Sequence, residues 1–154
     1  MQLTAIISPM VIMSGLPYPV VSMEGYRAVA PLKHLKELRL GQHAEQGYNV
    51  DLDALKTECL THLRLQGCMG LKGGEPSLLA LLERNPRLEF LNASATPLTE
   101  KAVPVLRSLK SLQLLDVSGC FMSKKAVKTL RELLKSKGGT FYAINCGGYM
   151  HGEY

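Results

Sequence analysis

Cysteine is scarce in this chain, and what little there is falls into no chemical pattern. Of 154 residues four are cysteine (Cys59, Cys68, Cys120 and Cys146), with no CxxC pair and no Cys/His cluster at zinc-finger spacing. Four are too few to staple a chain of this length, so the thiols are expected to be reduced and largely buried, in an intracellular protein. No charge precedes Glu24, so the basic region of a secretory signal and the arginines of a transit peptide are both missing. Pro9, Gly15, Pro17 and Pro19 interrupt the apolar N-terminal stretch and make it a poor membrane helix, so it is expected to be folded sequence, with a processed signal as the alternative. No Walker loop, GxGxxG, HExxH or GxSxG occurs. No acid, base and nucleophile converge, so no enzyme, cofactor or small-molecule substrate is expected. "NAS" at 92–94 spells a glycosylation sequon but falls inside an expected strand.

What the chain does have is a period. "LQLLDVSGC" (112–120) and "LTHLRLQGC" (60–68) share Leu, two residues, Leu, one residue, an apolar residue, two residues and Cys. "LKELRLGQH" (35–43) has His43 in the cysteine slot, and "LEFLNASAT" (88–96) has Ala93 and Thr96 as small substitutes. "GGTFYAINC" (138–146) and "SPMVIMSGL" (8–16) are weaker copies. The starts at 8, 35, 60, 88, 112 and 138 are 27, 25, 28, 24 and 26 residues apart. Between the copies the apolar spacing turns helical. In 123–136, Val127, Leu130, Leu133 and Leu134 share a face, with Ser123 placed as N-cap. The segments 22–32, 51–59, 75–85 and 99–109 fit the same slot. Pro76 is tolerated near a helix start, while Pro104 should shorten or kink its helix. The pairs Gly73–Gly74, Gly138–Gly139 and Gly147–Gly148 mark turns.

A strand of LxxLxLxxC followed by a helix, in units near 26 residues, resembles the cysteine-containing class of leucine-rich repeats. That class is familiar from F-box proteins and is related to the ribonuclease-inhibitor type. The resemblance spans about 8–146. It implies a single α/β domain over 1–154, a solenoid of about six strand–helix units with terminal units degenerate. Parallel strands would line the concave face and helices the convex face. Such a fold serves many functions, so the site must be argued separately.

In each strand the second and third leucine-type positions point inward and the residues between them outward. Strands about 4.8 Å apart stack equivalent positions into rows. One row reads Ile12, Arg39, Arg64, Asn92, Asp116 and Tyr142, and its neighbour Met10, Glu37, His62, Phe90, Leu114 and Thr140. A third holds Ser14, Gly41, Gln66, Ser94, Ser118 and Ile144. Two arginines beside outward apolar residues have the composition of an interface hot spot. The partner-binding candidates on this face are Glu37, Arg39, His62, Arg64, Phe90, Asn92, Leu114, Asp116 and Tyr142. No metal is expected, because His62 should face outward and Cys68 inward.

Positive charge gathers in one place. Ser123 to Lys137 holds six basic residues and one acid, Glu132, a net +5 that equals the charge of the whole chain. Lys124, Lys128, Arg131 and Lys135 form a stripe on the expected convex helix. It is either a solvated helix face or a dock for RNA phosphates, an acidic protein or an anionic membrane surface. No aromatics interleave with it, which argues against sequence-specific RNA reading.

The expected function is a non-catalytic protein–protein interaction module. Short repeat arrays have marginal ends because each unit leans on its neighbours, which favours a subunit held within a larger assembly. Two alternatives stand beside it. One is a substrate-recognition repeat domain of an F-box-type ubiquitin-ligase receptor; the other is an RNA-contacting subunit or assembly factor of a ribonucleoprotein or organellar complex. The compartment expected is the cytoplasm, with the mitochondrion as the alternative. The cysteine slot needs no thiol chemistry. Cys68 and Cys120 fall two units apart, about 10 Å at the usual strand spacing and beyond disulfide reach.

Overall fold

A strand of three residues can bury only its middle side chain on one face, and these strands do so four times over. Leu38, Leu63, Leu91 and Leu115 are each 0% exposed, while both neighbours of each remain on the other face. The computed structural model describes residues 4–6, 30–40 and 50–147. In chain order its elements are β1 (Thr4–Ile6), β2 (Glu37–Arg39), a 3-10 turn (Leu52–Ala54), β3 (His62–Arg64), α1 (Gly74–Arg84) and β4 (Phe90–Asn92). A second 3-10 turn (Glu100–Ala102) then leads into α2 (Val103–Ser108), β5 (Leu114–Asp116), α3 (Lys124–Ser136) and β6 (Thr140–Tyr142).

The fold is α/β. The six strands among the described residues are all parallel and lie in the sheet in the order of the chain. Parallel neighbours cannot be joined by a tight turn, so each connection must cross back over one face. The helices supply that crossing and cover the inner side of the sheet. α1 buries Leu78, Leu81 and Leu82, and α3 buries Ala126, Leu130 and Leu134, the spacing of one helical face. Leu106 is the inward residue of the short α2. The leucines before each strand (Leu35, Leu60, Leu88, Leu112) and the apolar residues after it (Leu40, Leu65, Ala93, Val117) complete one continuous core. Each fully buried leucine contributes about 1.5–3 kcal/mol of apolar transfer.

The connections differ where local chemistry differs. Ser123 caps α3, its Oγ accepting from the Ala126 N–H at 3.3 Å. The other end closes with Gly138 N–H donating to the Lys135 carbonyl and Gly139 N–H to the Leu134 carbonyl, with Gly138 at φ +68°. Gly139 has a second reason to be glycine: a Cβ there would meet the Gln113 carbonyl oxygen at 2.5 Å and Leu134 Cδ1 at 2.9 Å. Pro104 shortens its helix and does not kink it. It sits at the N-terminal end of α2, where its missing N–H needs no acceptor, and only six residues are α-helical. The segment 51–59 makes only the 3-10 turn Leu52–Ala54. The chain is extended again at Leu55, and Thr57 Oγ1 then donates to the Leu35 carbonyl at 2.8 Å.

At the N-terminal edge, β1 pairs Thr4 with Glu37 and Ile6 with Arg39. In register, Thr4 and Ile6 stand beside Glu37 and Arg39, the positions at which Met10 and Ile12 were expected. The stretch 8–16, with Met10, Ile12 and Ser14, lies outside the described residues, as do Gly41, His43 and most of 22–32.

Buried polar groups tie successive connections together. Asn85, 1% exposed, accepts from the Leu60 N–H at 2.9 Å and donates to the Leu81 and Thr57 carbonyls at 2.8 and 3.3 Å. Glu75, at the start of α1, accepts the Thr99 N–H at 2.7 Å and its hydroxyl at 3.0 Å, holding the start of the next connection. Apart from the Asn85–Leu81 bond these contacts span 24 to 28 residues, and none was anticipated from the sequence.

Candidate binding surfaces on the sheet and the last helix

The register sets the outward rows side by side. Glu37, His62, Phe90, Leu114 and Thr140 are successive partners, and so are Arg39, Arg64, Asn92, Asp116 and Tyr142. Their side chains divide the face into three parts. At the β2 end, Arg39 turns onto Glu37, with Nη2–Oε1 at 2.6 Å and Nε donating at 2.7 Å. That pairing lets Arg39 sit beside Arg64 on the next strand. In the centre the rings of His62 and Phe90 stack at 5.8 Å and 15°. The Arg64 guanidinium lies over the Phe90 ring, with Cζ 4.7 Å from its centroid. His62 Nδ1 is 3.0 Å from Thr61 Oγ1. No ion pair among the described residues engages the exposed Arg64. Leu114 continues the apolar centre and is half-buried.

On β4 and β5 two of the candidates have local work. Asn92 Oδ1 accepts from the Ser94 N–H and hydroxyl at 3.0 and 2.7 Å, and Asp116 Oδ1 accepts from the Ser118 N–H at 2.9 Å. Both close the turn that ends their strand. Tyr142 is 48% exposed, and Ile144, in the third row, is 65% exposed.

The cysteine slot looks the other way. All four cysteines are free thiols. Cys120 Sγ donates to the Ala93 carbonyl at 3.0 Å and Cys146 Sγ to the Val117 carbonyl at 3.1 Å. Cys68 makes a longer contact of the same kind with the Leu40 carbonyl, at 3.9 Å. Thr96 fills the slot with a hydroxyl and donates to the Ala93 carbonyl of its own unit at 2.7 Å. Burial pushes the Cys68 thiol up to about 11 and also raises Cys120 and Cys146. These are donors to backbone, held protonated at neutral pH, and poor nucleophiles.

On α3 the side chains of Lys124, Lys128, Arg131 and Lys135 are all exposed. No ion pair among the described residues engages Lys128, Arg131 or Lys135. Lys124 and Lys125 occupy the first turn of α3, which contains no acidic residue. The helix dipole disfavours cations at that end, so Lys124, the first residue of the stripe, works against the helix that carries it.

Among the described residues no group of three or more His, Cys, Asp or Glu is arranged to hold a metal ion, and no helix is long and apolar enough to cross a membrane. No protein-family model, curated protein or solved structure matches the chain. Two features of these surfaces were not read from the sequence. One is the capping of the Phe90 ring by both His62 and Arg64, which needs rotamers as well as register. The other is the meeting of Lys137 with the end of α2, where its Nζ donates to the Leu109 carbonyl at 2.8 Å.

Proposed function

We propose that the chain is a non-catalytic leucine-rich-repeat module of the cysteine-containing class. It is a solenoid of about six units that holds a protein partner on the concave, outward face of its sheet, as a subunit of a larger assembly. One observation carries this reading. Phe90, flanked by Leu114, sits half-covered on an open sheet face between a stacked histidine and an arginine without an acidic partner. Aromatic and arginine side chains in a shared apolar setting are the residues that dominate protein interfaces, and Arg64 already pays part of its ordering cost against the ring. The charged residues divide around this centre, Glu37 with Arg39 on one side and Asp116 on the other, as the polar rim of such an interface does.

The test is affinity purification with mass spectrometry, comparing the full chain with an Arg64→Ala, Phe90→Ala, Leu114→Ala triple variant. The variant's fold is verified by circular dichroism and thermal melting. The proposal expects a defined partner set that the triple variant loses. A folded variant with an unchanged partner set would sink the proposal. If the lost set contains an adaptor of a cullin-type ligase, the module is a substrate receptor of the F-box kind.

A further inference from the structure

The connections of a parallel sheet all run back from the carboxyl ends of the strands to their amino ends. The C-terminal ends of α2 and α3 therefore lie at the same edge, and these two helices pack against each other. At the end of α2 stand Arg107 and Lys110, both exposed. The last two turns of α3 and the residue after it bring Arg131, Lys135 and Lys137. The bond from Lys137 Nζ to the Leu109 carbonyl joins the two ends directly, next to Lys110. Five cations thus stand on the adjoining C-terminal ends of two connections. Glu132 is the one acid in the segments 103–110 and 124–137 that build this corner, and no ion pair among the described residues engages any of the five.

We propose that this corner, continued by the Lys124–Lys128 end of the α3 stripe, binds the phosphate backbone of a nucleic acid without reading its bases. Helix stability does not account for the charge. A dipole rewards cations only within the last turn, yet the stripe runs about 16 Å from Lys124 to Lys135 and begins at the end where cations cost energy. A protein partner does not suit it either. Protein interfaces are depleted in lysine and built on apolar anchors, and the exposed large apolar residues Met69, Phe121, Tyr142 and Ile144 lie on neither helix nor their returns. A surface that offers charge, and no stacking or apolar contact, selects a ligand recognised by its charge alone. Burial lowers the Lys137 ammonium below its usual range, and the neighbouring Lys110 charge adds a smaller repulsion that a bound phosphate would offset.

The experiment is fluorescence anisotropy of a labelled 20-nucleotide oligouridylate with the full chain, repeated at several salt concentrations. A polyglutamate peptide and phosphatidylserine vesicles serve as competitors. For about five phosphates engaged at ~0.7 counterions each, affinity falls about a hundredfold between 50 and 200 mM salt. The Lys110→Glu, Arg131→Glu, Lys135→Glu variant is expected to lose about tenfold or more at 50 mM salt, since each engaged cation carries its share of the salt slope. The matching glutamine variant should fall between it and the native chain, while Arg64→Ala, Phe90→Ala on the sheet face should bind normally. Lys137 is left in place because it holds the α2 end, and melting curves establish that the variants fold. Binding absent at 50 mM salt, or retained by the folded reversal variant, overturns the proposal. So does stronger binding of polyglutamate or of the vesicles, which would assign the corner to an acidic protein or an anionic membrane.

Discussion

The two faces of the same six short strands follow different rules. On the inner face the residue type is nearly fixed, with a leucine at the centre of every strand from β2 to β5, each fully buried. On the outer face neighbouring positions hold Glu37, His62, Phe90, Leu114 and Thr140, five residues with nothing in common but direction. The inner face is constrained by volume, because each leucine must fill a slot defined by the strand on either side. The outer face is constrained only by its neighbours across the sheet, and there the side chains have formed local pairs. A face free to vary, yet holding an aromatic ring capped by an arginine, is where recognition is to be sought.

The largest test of this contrast compares adjacent residues on one strand. Leu91→Ala should cost about 3–4 kcal/mol, by transfer and cavity terms together, because no helix can collapse into the middle of the sheet. Phe90→Ala should cost about 1 kcal/mol, since the ring loses stacking but leaves no closed cavity. Urea denaturation at a constant m-value measures both; equal costs would erase the distinction between the faces.

The second test reaches the inner face through a proton. Cys68 titrates at about 11 when folded, against 9.0 for a free thiol. The unfolded chain therefore releases this proton first. The contribution of Cys68 is complete below about pH 9 and is lost as pH rises toward 11, by about 1.4 kcal/mol for each pH unit. Stability curves of the native chain and Cys68→Ala should run parallel up to pH 8.5 and converge above it. The same burial predicts slow alkylation of Cys68 at neutral pH until the chain is unfolded.

The smallest effect belongs to the outer face again. Glu37→Gln removes the ion pair with Arg39, a partly exposed pair whose removal should change stability by less than about 0.5 kcal/mol. Its consequence is local, because Arg39 is then free to move beside Arg64. If the sheet face binds an acidic partner, Glu37→Gln tightens capture; if Glu37 itself contacts the partner, capture weakens.

Much of this was legible because the apolar pattern carries both period and direction. The LxxLxL stretches placed β2 to β5 and their register, since a shift of one residue would turn every leucine outward. Ser123 and the paired glycines at 138–139 announced the ends of α3. Beside β2 stands Thr4–Ile6, which has no leucine core to mark it as a repeat, while the unit expected at 8–16 lies outside the described residues. The helical slot at 51–59 was overread because its apolar spacing fits a helix while Thr57 is committed to the Leu35 carbonyl. At the sheet face the neighbours were legible but the partners were not. Nothing in the order of residues says that Arg39 chooses Glu37 while Arg64 chooses Phe90.

Strand order that repeats chain order has a mechanical consequence. β1 and β6 occupy opposite edges of the sheet, so tension applied between them runs across the strands and along the hydrogen bonds. Such a load peels one strand at a time and never shears many bonds together. Force on this chain is therefore met as a series of small yields, each returning a length of one strand and its crossing. Each yield removes one position from both outward rows, so a contact that spans several strands is shed in steps and not all at once.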